Sequence, residues 1–261
     1  MKLTRSIVCQ QLNGILALWK PAGISSAKFC DQFKAVLHKE IDSTNRHDII
    51  KVGHGGTLDM SASGVLAVGL GSGCKMLKYL LAGSKVYQAV GCLGIETDTY
   101  NDDGALVGRK SFDHITMNIL TETSKKFLGQ IRQSPPVFSA LKHYGMRLSD
   151  MAREGLAIPE EKLVPRTVSV YSIKVLDFSP PHFTVEICCS GGFYVRSFIH
   201  DIGIALDTYA HMVSLTRTQH GPFTTDHVLP ESHWTYPEIL NELNRTAKMR
   251  ELWLNVRKKK S

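Results

Sequence analysis

The stretch Gly53-His54-Gly55-Gly56-Thr57-Leu58-Asp59 constrains this chain more than any other. Three glycines in four positions let the backbone turn tightly and let a ligand approach closely. A hydroxyl, an aliphatic side chain and one carboxylate follow. Apolar runs flank the stretch, Gly14 to Trp19 upstream and Gly64 to Leu70 downstream. A loop between two buried strands presents Asp59 at the edge of packed β structure. From these residues alone the acid has two readings, a turn-former or cap and a catalyst.

The 261 residues, 43% hydrophobic and 21% charged, suffice to bury a core as one large domain or two smaller ones without disulfides or metal. No apolar run approaches the roughly 18 residues that span a bilayer, so no membrane partner is expected. The formal charge of +7 favours a polyanionic partner such as nucleic acid. Cys9, Cys30, Cys74, Cys92, Cys188 and Cys189 show neither CxxC nor Cys/His ligand spacing and read as reduced core thiols. Adjacent Cys188 and Cys189 point to opposite faces of a strand. Residues 1–13 lack an apolar core of signal-peptide length. The expected location is nucleus and cytoplasm, with the mitochondrion left open.

Along the chain, the strand Gly14 to Trp19 is closed by Lys20-Pro21-Ala22-Gly23. A helix capped by Ser25 or Ser26 then carries Phe29, Phe33, Val36 and Leu37 up to about Lys39. Glu40 to Lys51 reads as a polar surface loop. Gly71 and Gly73 open a helix whose N-terminus can hold an anion, with Lys75 as a phosphate contact or a solvated side chain. Lys85 to Gly94 alternates as a strand, and Thr97 to Gly104 is an acidic turn without calcium-loop spacing. Ile115 to Leu128 predicts an amphipathic helix ended by Gly129. Pro135 and Pro136 enforce an extended path, and a helix around Arg147 to Arg153, with Lys142 and His143 just upstream, offers a basic face. Strands follow at Thr167 to Phe178 and Phe183 to Cys189. The turn at Gly191 and Gly192 then leads into a helix bearing Arg196, where a buried guanidinium needs a partner. Val213 to Thr218 is a further strand, and residues 229–261 read as mostly helical with a basic tail.

Several blocks stand together in order: Lys20 to Ser26, His54 to Asp59, Lys85-Val86-Tyr87, Gln133 to Leu141, Gly192 to Ser197 and Leu215-Thr216-Arg217. In this the chain resembles TruB-type tRNA pseudouridine-55 synthases over residues 12–228. The GHGGTLD form, with GSGxKML and GSKxY after it, is similar to the eukaryotic tRNA pseudouridine synthase 1 group. The resemblance implies an α/β (α+β) fold with a mixed, mostly antiparallel sheet, flanking helices and a central RNA-binding cleft. It implies a catalytic domain over 1–228. The stretch 229–261 is too short for the PUA domain that bacterial members carry.

The implied reaction isomerises uridine to pseudouridine at position 55 of the tRNA T loop, with T-arm-shaped stem-loops of mRNA as further substrates. The base is flipped out of its stack to reach the acid. Asp59 matches the nucleophile, Arg196 the arginine that pairs with it, and Tyr87 the tyrosine that stacks on the flipped base. His54, Lys20, Lys75, Tyr194, Leu215, Lys142 and Arg147 are the expected RNA contacts. Neither cofactor nor metal is implied, and a monomer is expected. An RNA-folding factor acting without catalysis is the competing reading. A sugar glycosidase is disfavoured because no second acid accompanies Asp59.

Overall fold

The computed structural model describes residues 11–41 and 50–258. Cys9, most of the Glu40 to Lys51 loop and the last lysines of the basic tail lie outside them. The chain divides into two compact units, residues 1–85 with 216–261 and residues 86–215. No helix among the described residues is long and apolar enough to cross a membrane.

The first unit is built on three strands, β1 (Gly14–Lys20), β2 (Val52–His54) and β3 (Ser63–Leu70). β1 runs antiparallel along one edge of β3, from Gly14 opposite Leu70 to Lys20 opposite Gly64. The other edge is shared. The end of the long strand Ala210–His220 lies parallel to its start, Thr216 opposite Ser63 and Arg217 opposite Gly64, while β2 pairs with its finish, His54 opposite Val68. Gly64 has φ +121, and a Cβ there would lie 2.2 Å from the Arg217 carbonyl oxygen, so no other residue fits.

Both faces of β1 and β3 are covered, so these strands read as unbroken apolar runs rather than alternating ones. On one face Leu16, Leu18, Leu66 and Val68 meet Phe29, Phe33 and Leu37 of the helix Ser26–Glu40, with Trp234. The Trp234 ring stands edge-on to Phe33 at 5.0 Å. On the other face Ile15, Ala17, Val65 and Ala67 meet Leu80 and Phe223. Truncating a fully buried ring such as Phe33 to alanine costs about 3–5 kcal/mol. The Ser25 side chain accepts from the Lys28 N–H at 3.2 Å and starts the helix as its sequence predicts. Helices Tyr236–Arg245 and Ala247–Lys258 belong to this unit.

The second unit holds β4 (Lys85–Leu93, its first residue in the first unit), β5 (Ile95–Thr97), β6 (Leu106–Arg109) and β7 (Gly129–Gln133). There follow β8 (Lys142–His143), β9 (Met146–Arg147), β10 (Arg166–Ser179), β11 (His182–Cys189) and the first half of β12 (Ala210–His220). Its main sheet has the order β12, β4, β11, β10, β7. β10 is antiparallel to both β11 and β7. The β12–β3 pairing is parallel and the other pairings named are antiparallel, so the strands pair in a mixed, mostly antiparallel way, as expected. Phe198 of helix Val195–Ala205 is fully buried and meets Phe127 edge-on at 5.4 Å. Cys189 is buried and Cys188 only half-buried, in keeping with opposite faces.

Three elements differ from their sequence-based expectation. The predicted helix Ile115 to Leu128 runs only Met117–Lys125, capped by Thr116, because Gly129 at φ +91 already opens β7. The glycine-rich start at Gly71 is a 3-10 turn over Gly71–Met76 before a short α-helix, Leu77–Ala82. The helix expected around Arg147 to Arg153 starts one residue later, at Leu148, and Arg147 instead pairs with Lys142 across the β8–β9 hairpin that precedes it.

Candidate active site

The loop that presents Asp59 is held by its backbone. Gly55 N–H donates to Ala67 O at 2.9 Å, and the Ala62 N–H to Asp59 O at 3.2 Å. Ser26 Oγ accepts from the Leu58 N–H at 2.9 Å and donates to the Leu58 carbonyl at 3.0 Å. Gly23 N–H donates to Met60 O at 2.8 Å. Buried backbone groups need partners, and the loop's amides and carbonyls are met almost in succession.

Two side chains of β12 complete the grip where β3 has no neighbouring strand to bond. Arg217, wholly buried, donates Nε–H to Val65 O at 2.8 Å and Nη2–H to Gly56 O at 3.1 Å. His220, also wholly buried, accepts the Ala67 N–H at Nδ1, 3.2 Å. Its proton therefore sits on Nε2, aimed at Gly55 O at 3.1 Å. Burial, with the Arg217 and Lys85 charges, keeps the His220 pKa well below the usual histidine value, so the ring is neutral. A Cβ on Gly55 would come within 2.8 Å of Leu80, so the loop and the helix Leu77–Ala82 touch.

Lys20, expected among the RNA contacts, is instead fully buried. Its ammonium donates to Pro21 O at 2.7 Å and Ile24 O at 2.8 Å, which ties up the turn behind the loop. Burial lowers its pKa to about 8, against the pull of the Asp59 carboxylate and with the push of Arg217. Asp59 itself is half-buried. His54, half-buried, ends β2, and Lys75 is exposed on the 3-10 turn. The anion site expected at that turn is taken: Gly71 N–H donates to Lys51 O and Ser72 N–H to Asn13 Oδ1, at 2.8 and 2.7 Å.

The second unit carries the other expected residues. Tyr87 is buried on β4, on the face shared with Ala89 and Gly91. Arg196, the second residue of helix Val195–Ala205 and 5% exposed, donates Nη1–H to Thr99 O at 3.1 Å and Nη2–H to Phe138 O at 2.7 Å. The Gln133 side chain closes a two-bond ring with the backbone of half-buried Tyr194, at 2.8 and 2.9 Å. The block Gln133 to Leu141 and the block Gly192 to Ser197 are thus stitched together. Leu215 is buried on β12, and Lys142 and Arg147 are exposed. Among the described residues no group of His, Cys, Asp and Glu side chains is gathered as for a metal ion.

Residues 44–195 match the model of the TruB family pseudouridylate synthase N-terminal domain, and residues 196–252 that of the tRNA pseudouridylate synthase B C-terminal domain. The chain is 42% identical over 256 residues to human pseudouridylate synthase TRUB1, covering 95% of this chain and 73% of that protein. This chain belongs to the TruB family of pseudouridylate synthases. A tRNA pseudouridine synthase B of Dehalococcoides mccartyi is 38% identical over 212 residues, 81% of this chain and 66% of the relative. Among solved structures, a Cbf5-Nop10-Gar1 complex matches with TM-score 0.64 and 29% identity over 89% of this chain. The chain spans 56% of that solved chain.

For this TruB-family enzyme, sequence reasoning left four residues of the loop's support without a role: Ser26 beyond capping, Lys85, Arg217 and His220. Lys85 is buried and its ammonium bonds the carbonyls of Leu80, Leu81 and Gly83 at 2.7–2.9 Å, closing the end of the helix that packs on Gly55. Arg217 stood in a quoted motif but without a task. A cation within a predicted strand was the available signal, because once buried it must find acceptors.

Proposed function

We propose that this pseudouridylate synthase acts on tRNA, at uridine 55 of the T loop, and on stem-loops of similar shape in mRNA, as a monomer. Asp59 is the nucleophile, Tyr87 stacks on the extruded base, and Arg196 supplies positive charge for the carboxylate. The reaction conserves every atom. The N1–C1′ bond of uridine breaks, a C5–C1′ bond forms, the proton on C5 is lost and N1 ends protonated. Addition at C6 and attack at C1′ both use the same carboxylate.

One observation carries the reading: the backbone around Asp59 is pinned by Ser26, Arg217 and His220. A carboxylate on so fixed a loop is preorganised for attack, a constraint that a mere turn does not require. Relatives whose names state tRNA as their substrate support the choice of RNA. The β8–β9 hairpin adds support, since Lys142 opposite Arg147 places two like charges side by side, an arrangement that an RNA phosphate relieves.

The test is Asp59→Asn with a T-arm hairpin and with whole tRNA. Pseudouridine is expected to vanish from both while RNA affinity stays within about twofold. Pseudouridine formed at the wild-type rate overturns the assignment.

A further inference from the structure

Helix Val195–Ala205 carries Arg196 and, four residues on, His200, so both side chains leave the same face. Each meets a neighbouring residue of one turn. Arg196 donates to the Thr99 carbonyl at 3.1 Å, and the His200 ring stacks on Tyr100 with centroids 4.1 Å apart and planes 25° apart. Tyr100 has φ +61, a left-handed conformation uncommon for a tyrosine. Its carbonyl accepts from the Met212 N–H at 2.9 Å, which fixes one side of the turn to β12. His211 on the same strand lies 2.7 Å from Asp102 and 3.1 Å from Ile95 O, holding the far side. His200 holds the side that faces Arg196.

The bonding of His200 is specific to one protonation state. Nε2 lies 3.0 Å from Glu96 Oε1 on β5, and Nδ1 lies 3.2 Å from Asp201 Oδ1 on its own helix. Carboxylates only accept, so both bonds exist together only when the ring carries two protons. Burial opposes that charge, but the bonds to Asp201 and Glu96 outweigh it and raise the His200 pKa above its ordinary value. The titratable groups facing the ring are these two carboxylates and the Tyr100 phenol, whose own pKa burial raises.

We propose that His200, as an imidazolium bridging Glu96 and Asp201, is a positioning residue for pseudouridine formation: it holds Tyr100 in its left-handed turn and so sets the Thr99 carbonyl that orients the Arg196 guanidinium. The inference rests on the reading that Arg196 serves the reaction. Loss of the second proton at alkaline pH cancels one of the two bonds and lets the turn relax. Turnover falls although no group touching uridine has changed.

The experiment measures single-turnover rates on a T-arm hairpin from pH about 6 to about 9 for the wild type, His200→Phe and His200→Arg. The His200 ring is titrated by NMR in the full chain. The wild type is expected to lose rate on the alkaline side with the same midpoint as the ring. His200→Phe keeps the stack without the bonds, so it is expected to be about tenfold slower at neutral pH, to lack that limb and to bind RNA as before. His200→Arg keeps its charge and is expected to sustain the rate at high pH. A wild-type rate and profile in His200→Phe, or a ring already neutral at pH about 6, overturns the proposal. Should His200→Phe fail to fold, the match or mismatch of kinetic and NMR midpoints decides. Arg196→Lys separates the two readings. A wild-type rate there removes the premise, whereas a slow Arg196→Lys beside an unaffected His200→Phe removes this proposal alone.

Discussion

Ser26 and Leu58 exchange two hydrogen bonds, 2.9 Å from the Leu58 N–H to Ser26 Oγ and 3.0 Å from that hydroxyl to the Leu58 carbonyl. A helix start in the first unit thereby sets the peptide plane on each side of the residue before Asp59. The hydroxyl both accepts and donates, which no aliphatic side chain reproduces.

Ser26→Ala leaves a buried amide and a buried carbonyl unmet and is expected to cost about 1–3 kcal/mol of stability. Because the peptide it frees leads into Asp59, turnover is expected to fall while RNA affinity is unchanged. Guanidinium unfolding and single-turnover rates check the two halves. A fall in affinity instead of turnover contradicts the positioning role.

His220 gives the fold an acid limit. Its pKa is held well below the usual value in the folded chain. Below pH about 6.5 the unfolded chain therefore takes up a proton that the native ring refuses. The sign follows from linkage: the unfolded state binds more protons there, so stability falls as pH falls, by at most about 1.4 kcal/mol per pH unit from this group. His220→Gln is expected to lower stability at neutral pH and to flatten that slope. Denaturant midpoints across pH about 5 to about 7.5 decide it.

Lys142 and Arg147 are both exposed on paired positions of the β8–β9 hairpin. Replacing either by Gln is expected to weaken RNA binding alike for different sequences and to lower the slope of log affinity against log salt by about 0.7–1. Because removing one cation also removes the repulsion across the hairpin, no loss of stability is expected. An unchanged salt slope excludes this hairpin from the RNA-facing surface.

Legibility in the sequence followed whether a residue's partner is a pattern or a backbone atom. The strands at Gly14, Gly64, Lys85 and Phe183 were readable to within a residue or so, because their apolar runs have glycine or proline at their ends. Ser25 was readable as a cap for the same local reason. Arg217 and His220 were not, since their partners are carbonyls and amides of the Asp59 loop and β3, and such groups have no identity in a sequence. The burial of Lys20 was not readable, because lysines seldom bury completely and only turn carbonyls folded back over it make that tolerable. The β8–β9 hairpin escaped because its strands are two residues long. Its turn at Tyr144 and Gly145, with φ +44 and +89, was the one local clue.

The grip on the Asp59 loop reaches far along the chain, since the groups that hold Gly56 and Gly55 come 161 and 165 residues later. Synthesis proceeds from the N-terminus, so the ribosome releases the glycine segment long before the strand that secures it. Contacts of such separation close late and slowly. A nascent chain stopped before Thr216 therefore holds the acid without its Arg217 and His220 anchors, and competence for catalysis arrives only when that last strand slots in.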